Sequence, residues 1–260
     1  MNKSKEHSQA CKSLYDASKV RSVWLEVTYL MMEEQEILPN TYPLEALDTT
    51  TLRHIATSPA RFSSLLKNHR DSRLLPKSSR ILLGPIEEAT RLGMRVHPEV
   101  RHFPTLLPGG RFLFLLWEGS VTGAGSRHKA CVQLWDLGLP GTSSQSTLTA
   151  SSILEDIYIS WQVLPDPISS VYHLVVQNDQ GIDIYAFDTG SPFHFAKPTN
   201  RLAPDGDILD FSWWKNRIAW VTDRCQVVIW DFKKRSATSW VVDPYFLVEE
   251  VRMLVRQLLD

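Results

Sequence analysis

The spacing of apolar residues changes character along the chain. Up to about residue 68 they recur at three- and four-residue steps, the period of a helix with one covered face. Within 21–36, Val23, Trp24, Val27, Leu30 and Met31 fall on one such face. Glu33, Glu34 and Glu36 crowd the far end, where they oppose the helix dipole, so the helix is expected to stop before Pro39. Leu14, Tyr15 and Ala17 give the preceding segment a smaller apolar patch. After the proline-bearing LPNTYPLEAL, Asp48 is placed to cap a helix over TTTLRHIA. Ser58-Pro59 predicts another start, followed by Phe62, Leu65 and Leu66 as its stripe. Helices are thus expected over about 8–68, and the polar run NHRDSRLLPKSS opens a linker over 69–99.

From residue 100 the apolar residues come in short runs split by turn residues: PGG at 108–110, GSVTGAGS at 119–126, Asp179-Gln180-Gly181 and Pro204-Asp205-Gly206. That is a strand-and-turn pattern. It also repeats. Trp135 in VQLWDL, Tyr185 in IDIYAF and Trp230 in VVIWDF recur at intervals of 50 and 45 residues. Each follows another apolar run: RFLFLLW, YHLVVQ and RIAWVT. Ser160-Trp161 and Ser212-Trp213, 52 residues apart, look like a third matched element. A four-strand repeat of about 40–50 residues that ends one strand on an aromatic–Asp pair marks a propeller blade. Trp135-Asp136 and Trp230-Asp231 are such pairs, with the Trp between sheets and the Asp free to bond back to a turn. The competing architecture is an antiparallel sandwich with tryptophan in its core. Taken whole, the chain is expected to be α+β, with a partial WD-like propeller of about three to four blades over 100–260. Propellers close with 4–8 blades, so an incomplete one needs a partner or a second copy, or it leaves edges open. In the last stretch Leu247, Val251, Leu254 and Leu258 share a helical face, although blade register would make it strand.

Composition narrows the function. The chain has 260 residues, 43% apolar and 22% charged, with a net charge of −1. No strong field draws it to nucleic acid or an anionic membrane. The longest apolar run, Phe112–Trp117, is far shorter than the roughly 20 residues of a membrane span. The polar opening MNKSKEHSQACKSLYD carries no export signal. Cys11, Cys131 and Cys225, odd in number and widely spaced, imply no disulfide framework and fit the cytoplasm or nucleus. Lys67, Arg70, Arg73, Lys77 and Arg80 read as a solvated face, because no aromatic interleaves them.

Catalytic and metal chemistry find no purchase. Pro98 separates His97 from His102, against the helical pairing a metal would want. No G-x-S-x-G is present, and neither Cys131 nor Cys225 is expected at a helix start. Gly123-Ala124-Gly125 lacks the third glycine of a dinucleotide loop. Asp205, Asp207 and Asp210 lack the Gly and Glu of a calcium loop and read as turn residues. The expectation is a non-enzymatic protein without cofactor or metal.

CKSLYDASKVRSVWLEV, Cys11 to Val27, resembles the final helices of an F-box, with a C-K-x-L-Y core and the S-V-W-L that usually follows. EILPNTYPLEALDTTTLRHIATSPARFSSLL is similar to the segment after the F-box in a group of fungal F-box proteins. HFPTLLPGGRFLFLL and VQLWDLG are similar to the first blade of the WD-like propeller that those proteins carry. The resemblance implies a substrate receptor of a Skp–cullin–F-box ubiquitin ligase. Its F-box docks a Skp-type adaptor, its propeller recognises a protein substrate, and it performs no covalent chemistry. What remains of the adaptor-binding motif is Leu14, Val23, Trp24 and Leu25. Residues 1–10 depart from the family, since they hold no L-P-x-E-x-L-x-x-I opening, and later blades are missing. The alternative expectation is a truncated paralogue or scaffold that binds partners, or itself, through open propeller edges. Recognition loops are expected at 119–128 and 189–206, long loops on a rigid scaffold.

Overall fold

The computed structural model describes residues 12–68, 82, 84–95, 102–121, 128–139, 145–154, 158–166, 168–178, 181–189, 198, 200–203, 205–206, 208–214 and 216–242. The ambiguous C-terminal stretch, Cys11, Arg70, Arg73, Lys77, Arg80 and most of both candidate recognition loops lie outside them.

Helices come first. Residues 12–17 are helical, followed by α1 (Arg21–Glu34), α2 (Thr49–Ala56) and α3 (Ser58–Asn68). Short 3-10 turns at Pro39–Thr41 and Leu44–Ala46 carry the chain between α1 and α2. The Asp48 carboxylate accepts the Thr51 N–H at 2.7 Å, satisfying one of the orphan donors of α2. Ser58 does not cap as the sequence predicts. Thr57 keeps helical backbone angles between α2 and α3, so Ser58 is already helical and its hydroxyl donates to the Ile55 carbonyl at 2.8 Å. Met31, Met32, Ile37, Tyr42, Leu44, Leu47, Leu52 and Ile55 form the helical core, with Trp24 and Leu25 packed against it. Fully burying a side chain such as Leu52 or Ile55 contributes about 1.5–3 kcal/mol.

Among the described residues, the β part is three antiparallel sheets in chain order. The first holds β1 (Met94–Arg95), β2 (His102–Leu106), β3 (Phe112–Val121), β4 (His128–Asp136) and β5 (Thr147–Leu154); β1 and β2 share one edge of the long β3. The second is a meander of β6 (Tyr158–Asp166), β7 (Val171–Asn178), β8 (Gly181–Phe187) and β9 (Asn200–Leu202). The third is a meander of β10 (Ile208–Trp214), β11 (Arg217–Thr222), β12 (Gln226–Asp231) and β13 (Ser236–Val241).

These sheets stack as layers. Phe112, Phe114, Leu116, Val132 and Leu134 of the first meet Tyr172, Leu174, Val176, Tyr185 and Phe187 of the second. The opposite face of the second, with Val175, Ile182 and Ile184, meets Ile218, Trp220, Val228 and Trp230 of the third. Successive side chains on a strand point to opposite faces, so β7, covered on both sides, is buried from Tyr172 to Asn178. A two-sheet sandwich, the competing expectation, has no such middle layer. The chain is therefore α+β, with helices grouped ahead of stacked antiparallel sheets.

Two sequence expectations need correction. The pairing of Ser160-Trp161 with Ser212-Trp213 is out of register. Trp161 lies opposite Val176, two residues beyond Leu174, whereas Trp213 lies opposite Ile218, the counterpart of Leu174. A two-residue slip keeps the same face, which is why the apolar pattern alone did not expose it. Second, part of the expected linker over 69–99 is ordered. Pro85–Arg91 forms α4, begun by a proline at its first turn and the acidic pair Glu87 and Glu88. With Met94 it covers the free face of the first sheet, against Leu115, Trp117, Cys131 and Trp135. Gly119 makes that approach possible, since a Cβ there would stand 2.6 Å from the Met94 methyl.

Candidate functional site

The helical region is fixed to the sheets through the hairpin that the PGG motif predicts. Gly109 has φ of +90°, and a Cβ on it would sit 2.9 Å from the Tyr42 hydroxyl and 3.1 Å from Ile37. Only glycine meets both demands. The Tyr42 hydroxyl donates to the Gly109 carbonyl, and burial pushes its pKa up to about 12 despite the nearby Arg111. Arg111 donates to the Thr41 carbonyl at 2.7 Å and grips the Asp136 carboxylate with two nitrogens, the closer at 2.7 Å. One guanidinium thus ties the 3-10 turn to the end of β4.

The marker aromatics occupy equivalent positions. Leu113 faces Trp135, Leu174 faces Tyr185, and Ile218 faces Trp230 across neighbouring strands. All three aromatics are buried, and each turns toward the layer before it: Trp135 toward α4, Tyr185 toward the first sheet, Trp230 toward the second. Asp136 accepts the Gly138 N–H at 2.7 Å, and Asp231 accepts the Lys234 N–H at 3.0 Å. Both carboxylates fasten the turn that follows their strand. These residues build the sheets and offer nothing to a ligand.

The adaptor-binding candidates divide. Leu14 stands 71% exposed on residues 12–17, and Val23 is exposed on α1. Trp24 and Leu25 are half-buried, and the Trp24 indole N–H donates to the Ser18 carbonyl at 2.6 Å. They hold α1 in place. The predicted apolar face of α1 is in fact split between core and solvent. Trp24, Thr28, Met31 and Met32 turn inward, while Val23, Val27 and Leu30 turn outward. The stripe on α3 turns outward as well: Phe62, Leu65 and Leu66 are all exposed and α3 buries no residue. Beside Leu65 runs an open groove of about 370 Å³, lined by Thr57, Ala60, Arg61, Ser64 and Asn68. The periodicity found the helices but grouped on one face of α1 residues that the fold divides between core and solvent, and it could not say which stripe lacks a cover, because that depends on long-range packing.

A charged cluster bridges the second and third sheets. Asp166, at the end of β6, meets Lys233 of the third sheet at 2.5 Å, His173 at 3.4 Å, and the Ser169 hydroxyl, which donates to it. Burial alone would raise the Asp166 pKa; Lys233, Ser169 and His173 more than offset this and hold it at about 2. Burial pushes His173 below its usual value more strongly than Asp166 raises it, so the imidazole is neutral at pH 7. The Phe232 ring closes edge-on at 5.0 Å. Ser169 bonds the carboxylate and not the imidazole, the opposite of a nucleophile–base pair. No signal at short sequence range announces this cluster, since Asp166 and Lys233 come from different sheets.

Burial pushes the Cys131 thiol up to about 12, which leaves it unreactive at neutral pH. Among the described residues no group of three or more His, Cys, Asp and Glu is placed to hold a metal ion. No described helix is long and apolar enough to cross a membrane.

No protein-family model matches the chain, and no curated protein matches it. Among solved structures it is similar to "Crystal structure of HIRA(644-1017)", at 10% identity and a TM-score of 0.35. The match covers 54% of this chain and 41% of that one. So loose a superposition carries no argument, and the functional reading rests on this chain's own geometry.

Proposed function

We propose that the chain is a non-enzymatic protein-interaction module of the F-box receptor kind, in which the helical region docks a Skp-type adaptor and the stacked sheets are blades of a WD-like propeller. The observation that carries it is the apolar surface of Val23, Val27 and Leu30, left in solvent on α1, whose other side is packed, with Leu14 exposed on the segment before it. Patches of this kind on an otherwise covered fold mark contact with another protein. Leu14 and Val23 reach the adaptor; Trp24 and Leu25 anchor the helix beneath them. Support for blades comes from the repeated register and from marker aromatics that each face the preceding layer. An unidentified protein substrate is recognised at the loops of the sheets, and the setting is cytoplasmic or nuclear.

Co-expression with a Skp-type adaptor, followed by size-exclusion chromatography, tests the reading. A one-to-one complex is expected, lost in the double variant Leu14→Asp with Val23→Asp. Separate elution of adaptor and wild-type chain would remove the ligase role. A second reading then takes over: a scaffold that binds through an open sheet edge. The last described strand, β13, favours it, because among the described residues it pairs only with β12, Ser236–Ser239 and Val241 are exposed, and an extended peptide can add to such an edge.

A further inference from the structure

We infer that two copies of this chain pair through their helical regions, α1 of one against α3 of the other, about a two-fold axis. Two uncovered helix faces of opposite charge point to it. On α1, Val23, Val27 and Leu30 stand in solvent one turn apart, with Glu26, Glu33 and Glu34 exposed on the same outer side. None of these glutamates has an ion pair among the described residues. On α3, Phe62, Leu65 and Leu66 stand in solvent, Leu30 and Phe62 being the most exposed of the two sets at 57% and 59%. Residues 49–68 contain Arg53, Arg61 and Lys67 and no Asp or Glu. The Arg61 nitrogens go to the His54 carbonyl and ring, at 2.7 and 3.0 Å, so its charge meets no carboxylate there.

Pairing like with like is unfavourable on both sides. Two α1 helices would bring glutamates together, and two α3 helices would bring arginine and lysine together. The crossed pair joins apolar stripe to apolar stripe and acid to base. The groove beside Leu65, about 370 Å³ and open to solvent, has room to receive a side chain such as Leu30. One helix–helix contact falls short of the roughly 800 Å² per partner of a stable interface. Made twice about a two-fold axis, α1 to α3 and α3 to α1, it doubles and closes, without an open chain of copies. Pairing uses the outer face of α1, which the adaptor reading also uses. The two associations therefore exclude one another, and the pair is a form that an adaptor must open.

Sedimentation or light scattering of the full 260-residue chain, from about 1 to 100 μM, tests the pair. A concentration-dependent dimer that weakens with added salt is expected. Leu30→Asp on α1 and Leu65→Asp on α3 should each give a monomer that melts with the wild-type chain at concentrations where that too is monomeric, and below it where the wild type is paired. An equimolar mixture of Leu30→Asp and Leu65→Asp chains keeps one intact α1–α3 contact, so it should recover weak association. A monomer throughout the range, a dimer indifferent to either variant, or loss with only one of the two would overturn the crossed pair. Adaptor binding is read separately on the Leu65→Asp chain, whose α1 is intact. Failure there sinks the adaptor reading and leaves the pair standing.

Discussion

Helices and sheets in this chain use apolar residues to different ends. In the sheets, Phe114, Leu174, Val176, Ile218 and Trp220 are buried between layers, and α4 covers the first sheet's remaining face. In the helical region, three of the five predicted stripe residues of α1 and all of those of α3 remain in solvent. A covered stripe explains itself through stability. An uncovered one costs solubility and needs a partner to justify it. On the proposed reading, this contrast assigns adaptor docking to the helices, while the sheets form the packed support whose loops are left for a substrate.

The largest expected effect breaks the support. Trp220, buried between the second and third sheets and edge-on to Trp230, should cost about 3–5 kcal/mol when replaced by Ala, read as a lowered denaturant midpoint. Next comes the junction. Gly109→Ala meets both a left-handed backbone and a close hydroxyl, and should cost about 2 kcal/mol or more. Proteolysis should then cut within residues 12–68 while the sheet fragment survives. Survival of the helical region alongside the sheets would mean that the two parts do not depend on this hairpin.

The charged cluster gives an effect of about 2 kcal/mol, with a defined sign. Asp166 titrates near 2 in the fold and near 3.9 unfolded, so its contribution is complete above about pH 4 and is lost as pH falls toward 2. His173 adds to acid sensitivity earlier, because its depressed pKa means that the unfolded chain takes up a proton first as pH drops below about 6.5. Lys233→Met should lower the melting temperature at pH 7 and flatten the acid limb between pH 4 and 2. An unchanged acid limb would show that Lys233 does not hold the carboxylate. The smallest effect on stability sharpens the contrast. Leu30→Ala on the outer face of α1 should change stability by no more than about 0.5 kcal/mol, since little packing is lost.

Much of this fold was legible in the sequence because local pattern determined it. Asp48 capped α2, PGG made a hairpin, and the aromatic repeat marked three sheets in one register. The failures share a physical cause. The registers of Trp161 and Trp213 differ by two residues, an offset that a period of two cannot separate. α4 spans only Pro85–Arg91 and shows its purpose only against the first sheet. Val23, Val27 and Leu30 carry the same periodicity as buried residues, and their exposure follows from what the rest of the chain leaves uncovered. Candidate contacts were therefore readable as a helix and unreadable as a surface.

The most direct measurement is hydrogen exchange on the chain with and without a Skp-type adaptor. At a concentration low enough to keep the chain unpaired, added protection is expected, confined to residues 12–34, with the three sheets unchanged. Protection that falls instead on the sheet turns or on β13, or on neither part, would contradict the assignment of docking to the helices.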